Sequence, residues 1–388
     1  MNDFIYEIPT KVYFGDQLSR LNEEVKKYGK RVLLCYGGGS IKKSGLYDKV
    51  VSEVKKAGGT LYELSGIEPN PRITSVRKGA QICKDEKIDL VLAVGGGSVI
   101  DCSKFVAAGA CYDGDPWDIV LHKTTVEKCL PIVSVLTLSA TGSEMDNCGV
   151  ISNLETNEKI GAGYDPMRPK ASFLDPKNTF TVSPYQTACG AADILSHIIE
   201  VYFAKEPTLY MLDGFMETLM RTVIKYAPVA MKEPENYEAR ANLMWTSSWA
   251  INGFIACGNN TEWSCHGMEH ELSAYYDITH GLGLAIVTPR WMEHCLNEKT
   301  LPRFVQFGVN VMGIDSALPP KKIAEQAIEK FSEFLFGTLG LKSTLTAVGI
   351  DKTHLADMAK AAIAHGDFKN TFVPLSQKDI EKIYEACL

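Results

Sequence analysis

Several features that mark common classes of protein are absent from this sequence. Its 388 residues carry a formal net charge of −7 at pH 7 and no basic run, so neither nucleic acid nor an anionic membrane is an expected partner. No apolar run reaches the roughly 18 residues that a membrane-spanning helix needs. The first residues, MNDFIYEIP, lack the basic and apolar regions of a secretory signal. We therefore expect a soluble, cytoplasmic protein.

A disulfide framework is also not expected. The 11 cysteines are scattered, odd in number and never arranged as Cys-x-x-Cys. In a chain without an export signal, this pattern indicates reduced and mostly buried thiols. Cys265 adjoins His266, but neighbouring helical residues point about 100° apart, so packing is its expected role.

The first part of the chain alternates between apolar strands and amphipathic helices. The expected strands are RVLLCY, TLYEL, IDLVLAV, LPIVSVL, ISN and ASFLD. The run FIYEIPTKVYF, residues 4–14, adds two short β-rich stretches around a proline and predicts a hairpin. Apolar strands that alternate with helices predict a parallel sheet covered on both faces.

From Tyr185 onward the periodicity is helical, with no convincing strand. We therefore place a domain boundary near residue 180, within the polar connection DPKNTFTVSP. The prediction is an α/β dinucleotide-binding domain over residues 1–180 and an all-helical metal-binding and substrate domain over residues 181–388. A chain of this length can form two domains with their own cores.

Two pairs of metal-binding side chains lie at helical spacing in the second part. A helix that is capped by Ser183 places Asp193 and His197 four residues apart on one face. A second helix, over EWSCHGMEHELSAYY, places His266 and His270 four apart. Such a pair alone is more often a capped or hydrogen-bonded pair than a metal site.

His280 follows in a DITHGLG turn, so three of the eight histidines fall within fifteen residues. One carboxylate with two or three imidazoles suits Zn²⁺, Fe²⁺, Co²⁺ or Ni²⁺, and suits Ca²⁺ or Mg²⁺ poorly. The sequence therefore predicts a metal site in the helical part.

The strand IDLVLAV runs directly into Gly95, Gly96, Gly97 and Ser98, where a helix is expected to begin. Glycines let backbone N–H groups approach a diphosphate, and a helix N-terminus adds partial positive charge. The run lacks the G-x-G-x-x-G spacing of an ordinary dinucleotide fingerprint, so a plain tight turn explains it equally well.

A second glycine run, Gly37, Gly38, Gly39 and Ser40, follows the strand RVLLCY. The acidic residue with which ordinary NAD sites bind the adenosine ribose is absent here. The loop instead offers backbone N–H groups, the hydroxyl of Ser40 and two following lysines, Lys42 and Lys43. These groups can tolerate or attract the 2′-phosphate of NADP. Those lysines are also compatible with a simple solvated helix start.

Two more polar loops follow predicted strands. The segment VLTLSATGSEMDN offers hydroxyls from Thr137, Ser139, Thr141 and Ser143, and Asn70 lies in the rigid turn EPNP after TLYEL. Ligands of open α/β sheets bind at the carboxyl ends of the strands. All four polar loops fall at that edge.

The sequence resembles the iron-dependent, or group III, alcohol dehydrogenases, and within them the NAD(P)H-dependent butanol dehydrogenase branch. The shared motifs keep their order over more than 200 residues: YGGGSIKKSG, GIEPNP, AVGGGSVIDCSK, SATGSE, GAADILSH and HGMEHELSAYYDITHG. The resemblance implies a Rossmann-like N-terminal domain and an all-helical C-terminal domain in a dehydroquinate synthase-like fold. It also implies a homodimer, often formed through the N-terminal strands.

The resemblance assigns roles to particular residues. It implies four metal ligands, Asp193, His197, His266 and His280. It implies that the cofactor is bound by residues of the polar loops, one aspartate and one lysine: Gly37, Gly38, Gly39, Ser40, Asn70, Gly95, Gly96, Gly97, Ser98, Asp101, Thr137, Ser139, Thr141 and Lys159. Members that strictly prefer NAD tend to carry an Asp within the segment of residues 37–40. This chain thus resembles the NADP-accepting members, and NADH use stays open.

The implied reaction is reversible hydride transfer between NAD(P)H and a short-chain aldehyde such as butyraldehyde, which gives a primary alcohol such as butanol. A divalent ion, Fe²⁺ or Zn²⁺ or alternatively Co²⁺ or Ni²⁺, acts as a Lewis acid in such a site. His270, one helical turn beyond His266, is expected to pass the proton that completes the reduction. A fifth ligand and a core histidine are its alternative roles.

Other functions stay open from the residues alone. Glycerol dehydrogenase and dehydroquinate synthase share this fold, but a synthase with a phosphorylated, acidic substrate would need clustered Arg and Lys, whereas the ligand-bearing helices are apolar and aromatic. A metal-dependent hydrolase would use the Asp/His site to activate water. A non-catalytic nucleotide sensor would use the glycine loops alone.

Overall fold

The computed structural model describes residues 2–206, 208–259 and 261–388, which form two compact units. The first unit, called the α/β unit, contains Glu7–Val182 and Pro234–Met244. The second, called the helical unit, contains the N-terminal residues up to Tyr6, Ser183–Glu233 and Trp245–Leu388.

The α/β unit is built around a six-stranded sheet. The strands of this unit are β1 (Lys11–Phe14), β2 (Arg31–Cys35), β3 (Thr60–Leu64), β4 (Leu90–Gly95), β5 (Ile132–Leu136), β6 (Cys148–Asn153), β7 (Glu158–Gly163) and β8 (Ala171–Leu174). The order of the main sheet is β1-β8-β5-β4-β2-β3, and every neighbouring pair is parallel. The strands β6 and β7 form a separate antiparallel pair. The predicted parallel sheet is therefore confirmed.

Helices cover both faces of this sheet. They are α1 (Leu21–Tyr28), α2 (Ser40–Lys43), α3 (Leu46–Lys56), α4 (Ile73–Asp85), α5 (Gly97–Gly109) and α6 (Pro116–Val120). Side chains alternate between the faces of a strand, so Leu33 and Val91 pack in the core that contains α4 and α5. Leu34 and Leu92 pack in the opposite core, with α1 and α3. Burial on both faces explains why these strands are continuously apolar.

The predicted N-terminal hairpin is wrong. Of the run FIYEIPTKVYF only Lys11–Phe14 forms a strand, and it pairs in parallel with β8 at the edge of the sheet. Pro9 has no N–H group to donate to a ladder, which disfavours a continuous strand here. Phe4 and Ile5 are 51% and 98% exposed. The apolar residues at the start of this run therefore do not form a buried strand within a single chain.

A hairpin occurs instead at β6 and β7. The sequence predicted only a short strand at ISN, and β7 was missed because EKIGAG contains two glycines and little β-branched character. Asn157 adopts a φ of +51° in the connection, a conformation that asparagine tolerates better than most residues.

The helical unit contains no strand among its described residues, which agrees with the predicted fold class. Its helices are α7 (Pro184–Tyr202), α8 (Tyr210–Lys232), α9 (Tyr237–Trp249), α10 (Ser264–Tyr276), α11 (His280–Cys295), α12 (Leu301–Asn310), α13 (Pro320–Glu333), α14 (Leu355–His365) and α15 (Gln377–Ala386). The helix α9 is divided between the two units after Met244. No helix in the described parts of the chain is both long and apolar enough to cross a membrane.

Two local features position the candidate metal ligands. The predicted helix start is confirmed, since Ser183 Oγ accepts the N–H of Gln186 at 3.2 Å and α7 begins at the following proline. The DITHGLG segment is a shorter turn than predicted. Asp277 ends α10 in a left-handed conformation, and α11 begins at His280 itself.

Candidate metal centre and nucleotide-binding loops

Asp193 lies among three imidazoles in the helical unit. Its Oδ1 atom is 3.6 Å from His197 Nε2, 3.9 Å from His266 Nε2 and 3.6 Å from His280 Nε2. Two ligand atoms that each lie about 2.0–2.2 Å from a tetrahedral ion stand about 3.4 Å apart. The contacts of Asp193 with the three imidazoles are close to this spacing. Among the described residues, the ligand atoms of Asp193, His266 and His280 all lie within 4.8 Å of one another, and His197 stands outside this mutual group.

The four residues come from three helices. Asp193 and His197 lie one turn apart on α7, His266 lies in the first turn of α10, and His280 is the first residue of α11. Close approach of α11 to α7 requires glycine, because a Cβ at Gly281 would lie 2.0 Å from the carbonyl oxygen of Cys189. The glycine that follows His280 thus lets its imidazole reach Asp193.

The surroundings of His197 favour its neutral form. Burial lowers the pKa of this imidazole well below its ordinary value, and the neighbouring His266 lowers it further. The two rings stack with centroids 4.7 Å apart and an interplanar angle of 13°. The neutral imidazole is the form that binds a metal ion, so the environment of His197 suits a ligand.

A buried carboxylate that the sequence analysis missed contacts His266. Glu200 on α7 accepts the backbone N–H groups of Cys265 at 2.5 Å and His266 at 3.0 Å, and it also contacts His266 Nδ1. Burial raises the pKa of Glu200, whereas the backbone N–H groups of Ser264, Cys265 and His266 lower it and stabilise its carboxylate form. The sequence shows that Glu200 follows His197 by three residues. It does not show that Glu200 contacts His266, because His266 belongs to another helix.

A second missed carboxylate contacts His280. Glu269 on α10 is fully buried, contacts His280 Nδ1 and accepts the hydroxyl of Ser273 at 2.5 Å. It follows a predicted ligand, His266, by three residues, as Glu200 follows His197. Each carboxylate therefore contacts a histidine on another helix: Glu200 of α7 contacts His266 of α10, and Glu269 of α10 contacts His280 of α11.

His270 lies beside the group that surrounds Asp193. Its ring centroid is 5.8 Å from that of His280 and 6.3 Å from that of His266. With Glu269 and His280 it forms a second group, whose possible ligand atoms lie within 4.8 Å of one another. This position is compatible with both a proton-transfer role and the alternative role of a fifth ligand.

In the α/β unit, the loops after β4 and β5 contact each other. Gly95 ends β4, and α5 begins at Gly97, one residue earlier than predicted, so that Ser98 lies in its first turn. The N–H of Thr137 donates to the carbonyl of Gly95 at 3.0 Å. A Cβ at Gly97 would lie 2.3 Å from Thr141 Oγ1, so only glycine allows this approach.

The loop after β2 joins the same edge of the sheet. The carbonyl of Gly37 accepts the N–H of Gly66 at 3.2 Å, and a Cβ at Gly37 would lie 3.8 Å from Val99 of α5. Gly39 has a φ of +99° and precedes α2. A Cβ at Gly38 would meet nothing within 4 Å, so this part of the loop has open space.

Lys42 is one of the two lysines that follow the run of residues 37–40 and that the sequence analysis considered as partners of a 2′-phosphate. In the structure its side chain contacts other groups. Its Nζ lies 4.0 Å from a Glu63 oxygen and above the rings of Tyr36 and Tyr47, 5.0 Å and 4.6 Å from their centroids. The side chain stays half exposed. A phosphate at the loop would therefore compete with Glu63 for this ammonium group.

Three other predicted cofactor residues lie at further positions of the α/β unit. The buried hydroxyl of Ser139 has no hydrogen-bond partner in the described part of the protein, which suits a group that meets a ligand. Asn70 is buried in the turn after β3 with a φ of +50°. Lys159 is buried on β7.

Asp101 takes part in a network that the sequence did not reveal. Its carboxylate accepts the hydroxyl of Ser143 at 2.5 Å and the N–H of Val150 at 3.0 Å. The fully buried Lys104 donates to Ser143 at 2.8 Å and to the carboxylate of Asp146. Burial raises the pKa of Asp101 to about 6, against the lowering effect of Lys104 and the hydroxyl. The network fastens the SATGSE loop to α5.

Comparison with protein families gives two matches that together span most of the chain. The model of the iron-containing alcohol dehydrogenases matches residues 9–176. The model of the C-terminal region of the Fe-containing alcohol dehydrogenase family matches residues 187–388.

Individual proteins are similar over nearly their whole length. NADH-dependent butanol dehydrogenase A of Clostridium acetobutylicum is 55% identical, with 99% of each chain covered. The NADPH-dependent aldehyde reductase of Escherichia coli is 36% identical, with 94% of each chain covered. The crystal structure of NADH-dependent butanol dehydrogenase A from Thermotoga maritima is 39% identical, covers 100% of this chain and 99% of its own, and superposes with a TM-score of 0.95.

Proposed function

We propose that this chain, which belongs to the iron-containing alcohol dehydrogenase family, reversibly reduces short-chain aldehydes such as butyraldehyde to primary alcohols with NAD(P)H and a divalent ion. The observation that carries the proposal is the convergence of Asp193, His197, His266 and His280 in the helical unit. Relatives named NADH-dependent butanol dehydrogenases, 55% and 52% identical, support the substrate class.

We assign the divalent ion to the four side chains Asp193, His197, His266 and His280. The distances of the three imidazole nitrogens from Asp193 support this assignment, as does the burial that lowers the pKa of His197 and so favours its neutral form. The mixture of one carboxylate and three imidazoles favours Fe²⁺ or Zn²⁺, with Co²⁺ and Ni²⁺ as alternatives. The family description favours iron among these.

We assign the nucleotide to the loops after β2, β3, β4 and β5 together with Lys159, and thus to a dinucleotide-binding domain over residues 1–180. The start of α5 directly after Gly96 supports this, because the partial positive charge of a helix N-terminus suits a diphosphate. The open space at Gly38 and the hydroxyl of Ser139 also support it. The names of the relatives favour NADH, and the lack of a carboxylate in the segment of residues 37–40 leaves NADPH acceptable.

When bound, the ion supplies Lewis acidity toward the carbonyl oxygen and the nicotinamide supplies the hydride. The contribution of the chain is to hold both and to deliver the proton that completes the alcohol. His270 is the proposed donor, because its imidazole lies beside those of His266 and His280 and imidazole is the commonest proton carrier in general acid–base catalysis.

The direct test follows the absorbance of the reduced nicotinamide when butyraldehyde is added to the protein with NADH or NADPH. We expect aldehyde-dependent loss of the reduced cofactor, and the reverse reaction with butanol and the oxidised cofactor. Parallel reactions with glycerol address the related dehydrogenase chemistry. No turnover with any aldehyde from a short-chain series, in protein shown to contain a divalent ion, would contradict the proposal.

We also propose that the chain forms a homodimer through its N-terminal segment. Support comes from the edge position of β1 and from the exposed side chains of Phe4 and Ile5, since an unpaired edge and exposed apolar residues favour association. Light scattering should give a dimer mass for the full chain and a monomer mass after removal of residues 1–8. A truncated chain that stays fully dimeric would place the interface elsewhere.

A further inference from the structure

Glu200 and Glu269 stand outside the four proposed ligands, yet each contacts a ligand imidazole. Glu200 Oε2 contacts His266 Nδ1, and Glu269 Oε2 contacts His280 Nδ1. In both rings the other nitrogen, Nε2, faces Asp193, at 3.9 Å and 3.6 Å. Each carboxylate therefore lies behind its imidazole, on the side of the ring away from Asp193.

The surroundings of Glu200 fix it as a hydrogen-bond acceptor. Its Oε1 accepts the N–H of Cys265 at 2.5 Å, and its Oε2 accepts the N–H of His266 at 3.0 Å. Both N–H groups belong to the first turn of α10, where the helix N-terminus favours negative charge. The arrangement that satisfies every donor places the proton shared with His266 on Nδ1, which leaves the Nε2 lone pair for a metal ion.

Glu269 is held in a similar way by its own neighbours. Its Oε1 accepts the hydroxyl of Ser273 at 2.5 Å, and the side chain is fully buried. A Cβ at Gly283 would lie 2.7 Å from Glu269 Cγ, so the second glycine of the HGLG segment leaves room for this side chain. The segment that carries His280 thus also accommodates the carboxylate behind it.

His197 differs from the other two imidazoles. Its Nδ1 is buried and has no hydrogen-bond partner among the residues that the structure describes. The carboxylates therefore act on two particular ligands, His266 and His280, and are not a general feature of every ring in the group.

We propose that Glu200 and Glu269 are positioning residues for the metal site, which keep the proton of His266 and of His280 on Nδ1 and strengthen both Nε2 atoms as ligands for a divalent cation. This inference rests on the proposed metal-dependent function. A negative charge behind an imidazole raises its basicity, and hydrogen bonding fixes the ring orientation. The same two contacts join α7 to α10 and α10 to α11, so metal affinity and the arrangement of the helices depend on the same side chains.

The test measures metal binding directly. Glu200→Gln and Glu269→Gln keep the size of each side chain and remove its charge. The full chain is stripped of metal and titrated with Zn²⁺ in competition with a chromophoric chelator. Each substitution should weaken Zn²⁺ affinity by about 10- to 100-fold, the range found when such supporting partners of metal ligands are lost.

Glu217→Gln is the matched control. Glu217 is also a buried carboxylate of the helical unit, and it accepts hydrogen bonds from Tyr202 at 2.9 Å, Gln306 at 3.0 Å and Asn310 at 2.9 Å. Its loss should lower the unfolding midpoint without changing Zn²⁺ affinity. The visible spectrum of the Co²⁺-loaded protein supplies a second readout, which should change in the Glu200 and Glu269 variants and stay constant in the control.

The outcomes separate this inference from the proposed function. Wild-type protein that binds neither Zn²⁺ nor Co²⁺ would overturn the metal site itself. Wild-type binding that both Gln variants reproduce, to within about twofold and with an unchanged Co²⁺ spectrum, would overturn only the positioning role. If Glu200→Gln does not fold, Glu269→Gln and Ser273→Ala decide, because Ser273 donates to Glu269 and its loss should weaken Zn²⁺ binding by a smaller factor.

Discussion

His280 and Asp193 lie on different helices, and the Nε2 of His280 stands 3.6 Å from Oδ1 of Asp193. If this contact marks two ligands of one ion, His280→Ala should abolish aldehyde reduction and reduce the bound metal, measured by elemental analysis of the purified protein. His294→Ala is the matched control, because His294 lies on the same helix and pairs with Asp379 at 3.8 Å instead.

Removal of the ion from the wild-type protein gives the same prediction without a substitution. Treatment with a chelator and desalting should abolish turnover, and Zn²⁺ or Fe²⁺ should restore it. Full turnover in protein that has lost its metal would show that the Asp/His group is not catalytic.

Gly281→Ala tests how the helices bring the ligands together. The added Cβ would overlap the carbonyl oxygen of Cys189 at 2.0 Å, so α7 and α11 must move apart. We expect a loss of about 2 kcal/mol in the free energy of unfolding, as for other overpacked contacts, together with weaker metal binding. Urea unfolding and metal titration measure the two effects.

Gly214→Ala is the control for that change. A Cβ at Gly214, within α8, would meet nothing within 4 Å, so alanine should stabilise the helix by about 0.5–1 kcal/mol. Equal effects of the two substitutions would contradict the proposed close approach at Gly281.

Gly38→Asp addresses the choice between NADH and NADPH. The backbone at Gly38 is not left-handed and a side chain has open space, so the variant should fold normally. A carboxylate at this loop should repel a 2′-phosphate and accept a hydrogen bond from a free ribose hydroxyl. Fluorescence titration should therefore show a loss of NADPH affinity relative to NADH.

Gly38→Asn separates charge from size in that experiment. It has nearly the same shape as Gly38→Asp and should leave the ratio of the two affinities close to that of the wild type. An unchanged ratio in Gly38→Asp would show that the adenosine ribose binds elsewhere.

The parts of the site that the sequence predicted are those set by local spacing. Asp193 and His197 were recognisable because four residues make one helical turn. The glycine loops were recognisable because they directly follow buried strands. Both features lie within one segment of the chain and need no knowledge of how segments pack.

The parts that the sequence did not predict depend on partners from other segments. Glu200 and Glu269 are ordinary helical glutamates until α10 and α11 place His266 and His280 beside them. The N-terminal hairpin was wrong for a related reason. Local β propensity does not tell whether a strand pairs with its sequence neighbour or, like β1, with a distant strand.

His270 is the predicted proton donor, and His270→Ala tests this role. The centroid of its imidazole ring lies 5.8 Å from the ring centroid of His280. Loss of the His270 side chain should therefore leave the proposed metal ligands in place. We expect normal metal content and a fall in turnover of about 10²-fold if proton transfer limits the rate. A rate that is limited by proton transfer should also show a solvent deuterium isotope effect, which the variant should alter. His365→Ala is the control, because His365 is another partly buried histidine of the helical unit and contacts Glu271 at 2.8 Å. This substitution should change neither the rate nor the isotope effect. Loss of the bound metal from His270→Ala would identify His270 as a ligand, and wild-type kinetics would identify it as a packing residue.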